Sequence, residues 1–185
     1  EGVQGTGDEF LDSNHIMATA KHFIGDGGTF KGIDKGDTRI SEGGLKNIHG
    51  TPYYSAFEAC VQSVMASFNS WNGVKMHGHE YLLTDVLRDQ MGFNGLVVGD
   101  WNGHGEVPGC TNANCPESLN AGVDIYMAPD EWKELYTNTV RAVKSGDISE
   151  DRLDDAVRKI LTVKERLGML DGRKPHEYEN YVGNI

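Results

Sequence analysis

The chain has 185 residues, 38% of them hydrophobic and 24% charged, which excludes a disordered composition and is enough for one domain with a sizeable core. Its 17 Lys and Arg against 28 Asp and Glu leave a formal charge of −11, so a phosphate backbone would meet a repulsive surface and no nucleic acid is expected as a partner. No stretch approaches the roughly 18 to 20 consecutive apolar residues of a membrane span, so no membrane partner is expected either, and the 24 glycines have no Gly-X-Y period and instead suggest many tight loops.

The first candidate strand is MATAKHF, Met17 to Phe23, which delivers Lys21 and His22 to its end before the glycine-rich turn Ile24-Gly25-Asp26-Gly27-Gly28. A cation and an imidazole placed there can hydrogen-bond the hydroxyls of a polyol; the competing reading is a buried lysine paired with a carboxylate. A phosphate loop does not fit, because there is no GxxxxGK[ST] pattern and the glycines follow the lysine. Thr51-Pro52 marks a helix entry into YYSAFEACVQ, within which Cys60, between Ala59 and Val61, reads as a buried thiol. The second strand, SVMASF from Ser63 to Phe68, ends in Asn69-Ser70-Trp71-Asn72. His77-Gly78-His79-Glu80 pairs two imidazoles as metal sites do, yet it starts a helix without an obvious third ligand, so neither a metal nor a cofactor is expected. In that helix Leu82, Leu83, Val86 and Leu87 form one apolar stripe.

The third strand, GLVVG from Gly95 to Gly99, brings Asp100 and Trp101 out of the sheet. An ionised carboxylate there can attack a carbon bearing positive character, and an indole can line the flat face of a sugar ring; the alternative is a helix-capping Asp with a packing Trp. Cys110 and Cys115, five apart in GCTNANCPE, either close a small ring or are two unrelated loop thiols. The fourth strand, VDIYMA from Val123 to Ala128, is followed by Asp130, expected to cap a helix carrying Trp132, Leu135, Val140 and Val143. Ser149 is expected to cap another, carrying Leu153, Val157, Ile160, Leu161 and Leu167. From Asp171 the periodicity is lost, and 171–185 reads as a linker or an arm.

Apolar strands alternating with amphipathic helices predict an α/β fold with a parallel sheet. An open doubly wound sheet and part of a (β/α)8 barrel, which needs about 250 residues, both satisfy that alternation. The polar and aromatic groups repeated at strand C-termini favour the barrel, whose catalytic face lies there.

KHFIGDGGT, VMASFNSWNG and FNGLVVGDW, in that order, resemble glycoside hydrolase family 3, specifically its two-domain β-glucosidases and exo-β-glucan hydrolases, over about Ile16 to Leu170. The resemblance implies that residues 1–170 form the C-terminal half of a TIM-type (β/α)8 barrel, about its last four βα units, with the acid/base glutamate supplied from outside this chain. It implies that Asp100 is the catalytic nucleophile, that Trp101 lines the glycone subsite, that Lys21 and His22 bind glucose hydroxyls and that Met65 sits near them. Phe68 stands where the family often has Tyr, so that position brings no hydroxyl. Some plant members carry an Arg soon after the nucleophile; Asn102-Gly103-His104-Gly105-Glu106 replaces it here and leaves the second sugar site different. The β-N-acetylglucosaminidase branch has KHFPGHG, and Asp26 where its second His would be argues against that branch. HGEVPGCTNANC is similar to loops of secreted or periplasmic bacterial members, which implies a Cys110–Cys115 disulfide and export.

The implied activity is that of a retaining β-glucosidase or exo-β-glucan hydrolase, removing terminal glucose from a β-glucoside or β-glucan oligosaccharide through a covalent glycosyl-Asp intermediate. The alternative is a non-catalytic sugar-binding or assembly fragment of such an enzyme. The isolated chain is expected to be inactive and to recruit a partner half-barrel or a second copy at its open sheet edges.

Overall fold

Four short runs of small and apolar residues pair into one parallel sheet in the computed structural model, which describes residues 2–172. Apart from its first two residues, the expected arm at 171–185 lies outside the described residues. In chain order the elements are β1 (Thr19–Phe23), β2 (Asp37–Thr38), α1 (Glu42–Gly44) continuing through a π-type turn (Leu45–Gly50) into α2 (Thr51–Glu58), and β3 (Ser63–Ala66). After β4 (Ser70–Trp71) and β5 (Val74–Lys75) comes a π-type helix (Tyr81–Gln90), then β6 (Leu96–Trp101), α3 (Pro116–Ala121), β7 (Ile125–Met127), α4 (Trp132–Ser145) and α5 (Glu150–Arg166). The sheet order is β1-β3-β6-β7, every neighbour parallel, so the expected α/β alternation with a parallel sheet is found.

Side chains alternate across a strand, so the two sheet faces can be read from register. Val64 lies opposite Val97, and these with Ala66 are fully or almost fully buried against Leu82, Leu83 and Leu87 of the π-type helix and Tyr53 of α2. Burial of each of these Val and Leu side chains contributes about 1.5–3 kcal/mol. The other face carries Met65 opposite Val98 and Ile125 beyond them, all three only half-buried. Asp100, two residues after Val98, projects to this second face.

Below the sheet, Asp124 accepts from Arg88 of the π-type helix and Arg152 of α5, each at 2.6 Å, and from the Val97 amide at 2.8 Å. The Ser149 hydroxyl caps α5 by accepting from the Arg152 amide at 3.1 Å, as expected. Asp130 does not cap α4: Glu131 occupies the N-cap position and no side chain bonds the free amides there. Nor do the apolar residues of the two last helices all turn inward. Leu135 and Ala142 of α4 and Ala156 and Val163 of α5 are buried, while Trp132, Val157 and Leu161 are exposed, because the chain packs only one side of each helix. Cys60 is likewise exposed and not buried, because the chain leaves α2 through a left-handed residue at Cys60 (φ 56°) that turns the thiol to solvent.

A second, three-stranded sheet, β2-β4-β5, has no counterpart in the sequence reading. Its strands are two residues long, and β2 pairs in parallel with β4, Asp37 opposite Ser70. Asn69, fully buried, fastens it to the main sheet by donating to the Ile24 carbonyl (3.2 Å) and the Thr38 hydroxyl (3.0 Å).

Candidate active site

The C-terminal ends of β1, β3 and β6 meet around Asp100. Strand β6 runs further than expected and includes Asp100 and Trp101 as its last two residues. The Asp100 side chain is 17% exposed, sheltered yet reachable. Its Oδ1 accepts from the Trp101 amide at 2.7 Å, while Oδ2 faces His22 Nε2 at 3.4 Å. The other His22 nitrogen, Nδ1, lies 3.1 Å from Asp26 Oδ2. A neutral imidazole has one N–H and can serve only one of these carboxylates; the imidazolium serves both. Beside His22, Lys21 is exposed, and both line a depression of about 420 Å³ with Asp26, His49 and Tyr53. A larger concavity, about 770 Å³, lies between Leu11–Met17 and Glu165–Met169 and includes none of the expected site residues.

Trp101 is 59% exposed at the strand end. Met65 lies on the same sheet face as Asp100, one strand away. Phe68, half-buried, neighbours two groups: its ring centroid is 5.9 Å from that of His77, and Lys35 Nζ lies 4.2 Å from it. Lys35 and Lys75 both bind Glu106, at 2.6 Å and 2.9 Å. Burial alone would raise the Glu106 pKa, but the two lysine hydrogen bonds outweigh it and hold the carboxyl below its ordinary value. Glu106 is therefore an ionised anchor and a poor proton donor.

His77 is the residue that sequence reasoning missed. The ring is buried, and its Nε2 accepts from the Asp100 amide at 2.9 Å. Because an amide can only donate, Nε2 carries the lone pair and the proton sits on Nδ1, where the Ser67 backbone accepts it. Burial first of all pushes the His77 pKa down to about 4, against the opposing pull of the Asp100 charge. His79 makes a different set of contacts, with the rings of Trp71 and Tyr81 at 5.6 Å and 6.5 Å. Only a residue without Cβ fits behind His77: a Cβ at Gly103 would come 2.3 Å from the ring. No local pattern in KMHGH announces this arrangement, since it needs Ser67 and Asp100 brought together from distant points of the chain.

Cys110 and Cys115 form a disulfide. Their loop is folded back by a Thr111–Asn114 bridge and packs on the turn after β6, where His104 Nε2 lies 2.8 Å from the Asn112 carbonyl. Gly105 leaves room for the Asn112 side chain, whose oxygen would have to move from a Cβ placed 2.0 Å away. Cys110, Cys115 and Glu117 lie close enough together to group as metal ligands, but both sulfurs are spent in the disulfide.

Residues 1–163 match the family described as glycosyl hydrolase family 3 N terminal domain. A β-xylosidase of Formosa agariphila is 38% identical over 94% of this chain and 25% of its own length. A periplasmic β-glucosidase of Salmonella typhimurium is 34% identical over 89% of this chain and 22% of its own length. Among solved structures, the Q683A mutant of the exo-1,3/1,4-β-glucanase ExoP from a Pseudoalteromonas species superposes with a TM-score of 0.92 at 52% identity, over 94% of this chain and 28% of that one. The chain thus spans about a quarter of the length of the relatives it matches.

Proposed function

This chain belongs to glycosyl hydrolase family 3, and on that premise we propose that it carries the nucleophile half of a retaining β-glucosidase or exo-β-glucan hydrolase. The observation that carries the reading is the Asp100 carboxylate: one oxygen is held by the Trp101 amide, and the other faces His22, with the exposed Trp101 indole next along the chain. Asp100 Oδ2 attacks the anomeric carbon of the terminal glucose of a β-glucoside or β-glucan oligosaccharide as the bond to the leaving oxygen breaks. A glutamate outside this chain protonates that oxygen and then takes a proton from the water that releases the sugar from Asp100. Trp101 stacks on the sugar, Lys21 and His22 donate to its hydroxyls, and Met65 and Phe68 shape the floor. Glu106, held ionised by two lysines, does not fill the acid role.

In this reading residues 1–170 are the last four βα units of a (β/α)8 barrel and 171–185 lead toward a second domain. The half-buried face of Met65, Val98 and Ile125 supports it, because parallel sheets are ordinarily covered on both faces. The same open face supports the second reading, that the isolated chain is a sugar-binding or assembly fragment that pairs with a partner half or with its own copy. The disulfide and the periplasmic relative support a secreted or periplasmic location.

An activated 2-deoxy-2-fluoro glucoside, added to the complete gene product, should label the peptide that contains Asp100. A label on Asp26 or Asp124 would overturn the assignment. Parallel rates on aryl glucoside and aryl xyloside then decide the sugar; a higher kcat/KM for the xyloside would replace glucose with xylose.

A further inference from the structure

The β3–β6 ladder pairs Ser63 with Leu96, Val64 with Val97 and Met65 with Val98, and then stops. Two residues further on each strand, at Ser67 and Asp100, the strands are joined through an imidazole. The Ser67 backbone accepts the His77 Nδ1 proton, and His77 Nε2 accepts the Asp100 amide proton at 2.9 Å. The Ser67 amide is tied in turn to the Phe23 carbonyl of β1 at 2.7 Å. One hydrogen-bonded line therefore crosses the three strand ends that carry His22, Phe68 and Asp100.

The ring that completes this line is held on every side. Its own carbonyl accepts from the fully buried Ser118 hydroxyl of α3 at 2.7 Å, Phe68 packs on it, and Gly99 and Gly103 leave room for it and little else. The charged or titratable groups that face it are Asp100, His104 and Glu106. We infer that His77 is a positioning residue: it captures the backbone amide of Asp100 and so sets the direction in which the Asp100 carboxylate presents Oδ2. This deepens the glycosidase reading and rests on it. The amide of Trp101 fixes Oδ1 from one side and the His77 imidazole fixes the backbone behind it from the other, so the carboxylate is oriented without His77 itself bonding the attacking oxygen.

The test uses the complete gene product with His77→Leu, which keeps bulk but neither accepts nor donates, and His77→Gln, whose amide can do both. With an activated aryl glucoside, His77→Leu should lower kcat about 10²-fold, the loss expected from a misplacement near 1 Å. Binding of a neutral sugar inhibitor should change by less than about threefold, because it does not use the attacking oxygen. His77→Gln should recover most of the rate. Nitrogen-15 spectra of the wild-type protein should show a neutral His77 protonated on Nδ1 from about pH 5 to 8.

An unimpaired kcat in a folded His77→Leu variant would overturn the inference, as would equal losses in kcat and inhibitor binding. If His77→Leu does not fold, the Gln variant and the spectra decide: an Nε2-protonated ring, or a Gln variant as slow as an uncatalysed control, overturns it. Asp100→Asn serves as the parallel control. If it stays active the glycosidase reading itself fails, whereas an inactive Asp100→Asn beside an unimpaired His77→Leu sinks the positioning role alone.

Discussion

Asp100, near the C-terminal end of β6, and Asp124, just before the N-terminal end of the neighbouring β7, differ in their surroundings in one decisive respect. Asp124, fully buried, spends both oxygens on two guanidinium groups and a backbone amide. Asp100 spends one oxygen on one amide and leaves the other facing a histidine across 3.4 Å. A carboxylate with every lone pair engaged is a strut; one with a lone pair to spare can react. Under the proposed function, the contrast would follow the division of labour in barrel folds, with chemistry at the C-terminal ends of strands and stability at the N-terminal ends.

Conservative substitution separates the two. Asp100→Asn in the complete gene product should lower kcat by about 10⁴-fold or more while shifting the urea midpoint little, since one exposed-side oxygen carries the loss. Asp124→Asn should do the reverse: stability falls by about 3–5 kcal/mol, because Arg88 and Arg152 are left facing an uncharged group in a buried site, and the folded fraction keeps its turnover. Urea unfolding and steady-state rates on the same two variants check both halves. A catalytic collapse in Asp124→Asn without loss of stability would erase the distinction.

A smaller effect sharpens it on the Asp100 side. Folding lowers the His77 pKa from 6.5 to about 4, so between those values the unfolded chain binds a proton that the folded chain refuses. Stability from this group is therefore complete above about pH 6.5 and is lost as the pH falls toward 4, by up to about 3 kcal/mol. His77→Gln should flatten the slope of unfolding free energy across that window, and an unchanged slope would assign the acid sensitivity elsewhere. Smallest of all is the loop beside the site. Closing the loop between Cys110 and Cys115, five positions apart, contributes about 2 kcal/mol by chain entropy. Cys110→Ser with Cys115→Ser should cost about that much stability and little rate, and alkylation of the unreduced, unfolded wild-type chain should modify Cys60 alone.

How much of the molecule is legible in its sequence divides along the same line. The four strands of the main sheet can be read because each is a short run of small or apolar residues, and β6 carries its Asp100-Trp101 signature in the open. The resemblance through KHFIGDGGT and its companions points to the family that residues 1–163 match. Features made by distant pairs are not readable. The β2-β4-β5 sheet exists only because Asp37 meets Ser70, and His77 acquires its place only when Ser67 and Asp100 approach it from two strands. Cys60 misleads because an apolar neighbourhood in sequence ends in a left-handed turn that no residue preference for cysteine foretells. Asp130 fails as a cap for a related reason: the helix starts one residue later than its acidic signal.

Trp101 gives the site an optical readout. The chain has three tryptophans; Trp71 is partly shielded and donates its ring N–H to the Ile40 carbonyl, while Trp101 and Trp132 are 59% and 55% exposed. An indole in water emits at longer wavelength than one covered by an apolar surface, so a sugar ring laid on Trp101 would move its emission toward the blue, and Trp132→Phe removes the signal of the other exposed indole. Titrating glucose against wild type and Trp132→Phe would then read occupancy of the strand end directly, without any turnover.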